Sequence, residues 1–104
     1  MKNARREAAK QQLERLLSEN ALTEGMYVRT WGDHLIIGRH EPFGPDGEME
    51  ADDRLRLTAL DASSYGLSVR RHTGRWEKTP FTGSLDELTN VIWAYIQHLV
   101  APYS

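Results

Sequence analysis

Residues 26–40 read MYVRTWGDHLIIGRH, and this stretch decides the fold. Helical spacing of apolar residues gives way here to the two-residue period of strands. Gly32-Asp33 divides the stretch, and glycine at the first central position is what a type II′ hairpin turn requires. Two antiparallel strands are therefore predicted, over 26–31 and 34–40.

Upstream of this hairpin, Ala9, Leu13, Leu16 and Leu17 recur on one helical face among Arg, Lys, Gln and Glu. They predict an amphipathic first helix. Residues 1–8 lack apolar partners and are expected to fray, and Gly25, just past Leu22, offers a place to leave the helix. Downstream, residues 41–53 (EPFGPDGEMEADD) combine two prolines, two glycines and six carboxylates and read as a solvated acidic loop. Three further strands are predicted over 55–60, 65–71 and 75–81, joined by short turns at 61–64 and 72–74.

The chain then enters a second helix, predicted over 84–101. Ser84-Leu85-Asp86-Glu87 is a capping box, and Asp86 and Glu87 lie at the positive end of the helix dipole. Leu88, Val91, Ile92, Tyr95, Ile96 and Leu99 share one face, with Trp93 and Val100 widening it to about 200°, roughly twice what covering one side of a core requires. The fold class that follows is α+β: an N-terminal helix, a five-stranded antiparallel meander and a C-terminal helix. The helices pack on one face of the sheet, and residues 1–104 form a single small domain.

Composition bounds the function. At 104 residues, 39% hydrophobic and 27% charged, the chain can bury only a modest core. Absence of cysteine excludes thiol catalysis and Cys-based zinc sites and fits a reducing compartment, so a cytoplasmic location is expected. The first residues lack the apolar stretch of a signal peptide, and no run of about 18 apolar residues occurs, so no membrane association is expected. The net charge of −2 conceals segregation. Residues 1–16 carry a net +3, residues 41–53 carry only acids, and residues 54–78 hold six bases against Asp61 and Glu77.

Catalytic and metal signatures are weak. His34 and His40 stand about 20 Å apart on one predicted strand, too far to share a metal ion. The acidic run lacks the spacing of a calcium loop, Ser63-Ser64 has no nucleophile elbow, and no glycine-rich phosphate loop occurs. Ser84 caps a helix, and His98 sits on a polar helix face. No catalytic residue, metal or cofactor is expected.

Two surfaces remain. The over-wide last helix points to a protein interface through Trp93 and Val100, so the leading expectation is a small non-enzymatic intracellular protein-interaction or regulatory module that forms homodimers. The alternative is a nucleic-acid-binding module using Arg54, Arg56, Arg70, Arg71, Arg75 and Trp76, with His72 and Lys78 close by. Its order of strand meander and helix is similar to that of some single-strand-binding proteins. An enzyme of unknown type is the least favoured reading. The binding alternative turns on the register of one hairpin. A two-residue turn at Thr73-Gly74 sends Trp76 to the face of Leu67 and Val69, in the core. A three-residue loop at His72-Thr73-Gly74, with the glycine left-handed, sends it to the face of Arg70.

Overall fold

The computed structural model describes residues 2–102. Helix α1 spans Asn3–Leu17, followed by strands β1 (Tyr27–Trp31), β2 (His34–Glu41), β3 (Glu50–Ala59), β4 (Tyr65–Arg70) and β5 (Trp76–Gly83), then α2 (Leu85–Tyr95) and the short α3 (Gln97–Val100). A single 3₁₀ turn, Pro45–Gly47, lies between β2 and β3. The five strands form one antiparallel sheet in the order β1-β2-β3-β4-β5, so each pairs with its neighbour in sequence. This is the α+β architecture of the sequence reading.

The first hairpin follows from its turn chemistry. Gly32 takes φ +58° and Asp33 stays at negative φ, as a type II′ turn demands, and Trp31 pairs directly with His34. Core residues come from alternate strand positions, Val28, Leu35, Ile37, Leu55, Leu57, Tyr65 and Leu67, against Ala9, Leu13 and Leu17 of α1 and Leu85, Leu88 and Ile92 of α2. Both long helices thus lie on the same face, and the opposite face carries no helix. Among the described residues no helix is long and apolar enough to cross a membrane.

Three elements differ from the sequence expectation. The helix begins at Asn3, so most of the segment expected to fray is helical. The acidic segment is not one loop: β2 runs on through Glu41 and pairs with a β3 that starts at Glu50, leaving only residues 42–49 between them. Three of its six carboxylates are held by cations, since Glu41 and Asp52 pair with Arg54 and Asp53 pairs with Arg29. The last helix is broken at Ile96 (φ −125°, ψ 33°), where the Gln97 side-chain amide donates to the Trp93 carbonyl. That break turns Val100 into the core, where it is fully buried.

The broken end is clamped by two buried arginines. Arg39 donates to the carbonyls of Val100, Leu22 and Glu24, and Arg54 donates to the carbonyl of Ala101. Guanidinium groups here satisfy carbonyls that a helix terminus leaves unpaired. Arg54 also faces the buried Glu41 carboxylate at 3.0 Å.

Candidate binding face of the sheet

The register arranges the open face as three rungs running across the strands. Next to the β1–β2 turn lie Trp31, His34, Thr58, Gly66 and Thr82; the middle rung is Arg29, Ile36, Arg56, Ser68 and Lys78. The third holds Tyr27, Gly38 and Asp53, with Arg70 opposite Trp76 at the far side. Cations and aromatic rings therefore alternate over a surface roughly 20 Å wide, five strands at about 4.8 Å spacing. Ile36 is only 2% exposed although it lies on this face, where it stands between Arg29 and Arg56, whose long aliphatic stems cover apolar surface.

The hairpin register is resolved. Arg71 N–H donates to the Arg75 carbonyl, enclosing His72-Thr73-Gly74 as a three-residue loop with Gly74 at φ +84°. Trp76 consequently pairs with Arg70 and takes the open face. The Arg56 guanidinium lies 4.9 Å from its ring centre and that of Arg70 lies 6.0 Å away. Such cation–π contacts tie the indole to the two guanidinium groups.

A bulge sets the other half of the arrangement. Ile37 pairs with Leu55 but Gly38 pairs with Asp53, so Arg54 is an extra residue in β3. The inserted residue reverses the alternation beyond it. Asp53 joins Arg56 on the open face, while Arg54 turns to the helix side with Glu41 and Asp52. Arg54 therefore does not join the arginine face expected of it. Asp53 accepts from Arg29 at 2.6 Å and from the Tyr27 hydroxyl, and Arg70 approaches it at 3.8 Å. Those arginines hold the Asp53 carboxyl below the ordinary carboxylate range, Arg29 contributing most. Burial, then the bond to Asp53, pushes the Tyr27 hydroxyl up. His34 shares a hydrogen bond of 2.8 Å between Nδ1 and the Thr58 hydroxyl. Burial and the charge of Arg56 shift its titration down.

Of the residues singled out from sequence, Arg56, Arg70 and Trp76 come together. Arg71 is paired with Glu77 at 2.7 Å beside the hairpin tip, and Arg75 is exposed there. Trp93 packs against the core and donates its indole N–H to Thr23, and Val100 has no exposed surface. Most of the wide apolar arc of the last helix is thus accounted for inside the molecule, since Trp93 meets the segment after α1 and the helix end is bent inward, while Tyr95 stays 70% exposed, stacked on Phe81. Sequence reasoning missed Tyr27, Arg29, Trp31, Ser68 and Asp53. The first three were within reach, since they alternate with the inward-facing Val28. Asp53 was not, because its facing depends on the bulge.

Two hollows border the sheet. One, of about 370 Å³, is lined by Asp52, Asp53, Arg54, Arg70, Arg71 and His72, with Gly74 and Leu99. Its charges largely neutralise one another through the pairs already described. The other, of about 300 Å³, opens on the face itself between β2 and β5. Among the described residues no group of three or more His, Asp or Glu side chains is arranged to hold a metal ion. Comparison with family models, with curated proteins and with solved structures finds no match to this chain.

Proposed function

We propose that the protein is a binding module whose open sheet face takes single-stranded nucleic acid. The observation that carries this reading is Trp76, on the open face between Arg56 and Arg70. A half-exposed indole stacked with guanidinium groups offers a base planar groups to stack on and its phosphates a positive field. Arg29, Arg56, Arg70 and Lys78 against Asp53 give the face a surplus of positive charge although the chain as a whole is net negative. Trp31, 65% exposed on the same face, supplies a second ring toward the opposite corner. A surface with a surplus of positive charge repels its own copy, so this face suits a polyanion better than a second subunit.

Binding of a fluorescent mixed-sequence 12-nucleotide strand, titrated against salt, tests the reading. The expected affinity falls with a log–log slope of about −2, corresponding to some three phosphate contacts. Trp76→Ala weakens binding by about 1–3 kcal/mol. No binding at about 50 mM salt, or binding unchanged in Trp76→Ala, rejects it. Sedimentation equilibrium on the same samples separates strand binding from self-association.

A further inference from the structure

We propose that the 300 Å³ hollow on the open face is a site for a phosphate monoester, built around Arg56, Ser68 and Lys78. The inference rests on the binding reading above and adds to it a discrete site with its own chemistry. Arg56, Ser68 and Lys78 are direct neighbours across β3, β4 and β5. Arg56 stacks on Trp76, but none of the three is engaged by a carboxylate. Arg29 and Arg70 are engaged by Asp53, whereas neither Arg56 nor Lys78 has a carboxylate partner. Arg56 Nε is buried with no hydrogen bond, and Ser68, only 3% exposed, lines the hollow with its hydroxyl uncommitted. A buried donor without an acceptor is costly unless an incoming group supplies one.

The hollow itself comes from local backbone irregularity. Between the pairs Gly66–Thr82 and Ser68–Lys78, β4 has one residue and β5 has three, so the ladder opens. Pro80 cannot donate to it, and the Thr79 hydroxyl instead donates to the Leu67 carbonyl at 2.9 Å. Gly66 leaves the floor low, and Leu60 forms a wall against it at 3.7 Å from where a Cβ would stand. Two cations without a carboxylate partner suit the charge of a monoester, about −1.5 to −2 near neutral pH, better than the single charge of an internal diester. The guanidinium and hydroxyl donors match its terminal oxygens. Such a group belongs either to the end of a strand or to a mononucleotide.

The test compares one oligonucleotide with and without a terminal phosphate, alongside a nucleoside monophosphate, on the wild type, Lys78→Met and Ser68→Ala. Lys78 is exposed on an edge strand, so its variant folds even where Ser68→Ala does not. The phosphorylated strand is expected to bind about tenfold more tightly than the bare strand, and Lys78→Met brings that ratio near one. Monophosphate binding without binding of either strand supports the hollow and overturns the strand-binding face. Equal affinity for both strands with no monophosphate binding overturns the hollow and leaves that face standing.

Discussion

A Cβ placed on Gly38 would stand 2.2 Å from the Asp52 carbonyl oxygen and 2.3 Å from the Tyr27 hydroxyl. The Tyr27 ring crosses β2 where a side chain is missing, and from there its hydroxyl reaches Asp53. Gly38→Ala is expected to expel the ring and cost about 1–3 kcal/mol, measured by urea unfolding. Asp53 itself holds Tyr27, Arg29 and Arg70 at one carboxylate. Its folded titration lies below the unfolded value of about 3.9, so its stabilisation is complete above that pH and is lost as pH falls through the folded value. Asp53→Asn should abolish that share of the acid sensitivity in pH-dependent unfolding. The same change releases two arginines, and should therefore tighten oligonucleotide binding and steepen its salt dependence.

At the level of elements, alternation was readable and its interruptions were not. The first hairpin and the capping box follow from Gly32-Asp33 and from Ser84 with Glu87, whose reciprocal bonds of 3.1 Å form. Ser84→Ala is expected to cost about 1 kcal/mol in thermal unfolding. The inserted Arg54 in β3 and the widened stretch of β5 are different. No local residue preference marks the first, and Pro80 marks the second only as a break in the ladder, because the size of each irregularity is set where long-range pairing must reconcile unequal segments. Simple alternation places Arg54 with Arg56, and the structure puts it on the other side. With Arg54→Ala, Glu41 is left buried without that partner and the Ala101 carbonyl without its donor. An expected loss of about 3 kcal/mol follows. Replacing Glu41 and Arg54 together by methionine should recover part of it, which a double-mutant cycle would show.

Across the whole molecule, order and layering were legible because each segment had one dominant period, and the meander needs no crossover. What reaches a ligand was only half legible. Arg56, Arg70 and Trp76 could be named, but whether the tryptophan faced outward depended on one residue of hairpin loop. Trp93 and Val100 illustrate the converse limit. A wide apolar arc says how much surface a helix could hide and not what hides it, and here a break at Ile96 and the Thr23 hydrogen bond keep these two residues within the chain while Tyr95 of the same arc stays exposed.

Because each strand pairs with its neighbour in sequence, every ladder closes over a short loop, whereas the bond between Thr23 and Trp93 spans 70 residues. Loop-closure entropy then sets a sequence of events, with hairpins early and the meeting of α1 and α2 late. In stopped-flow refolding, a variant whose only tryptophan is Trp93 should report a slower phase than one retaining only Trp31. The chain's kinetic bottleneck lies in the closing of its two helices over a sheet already in register.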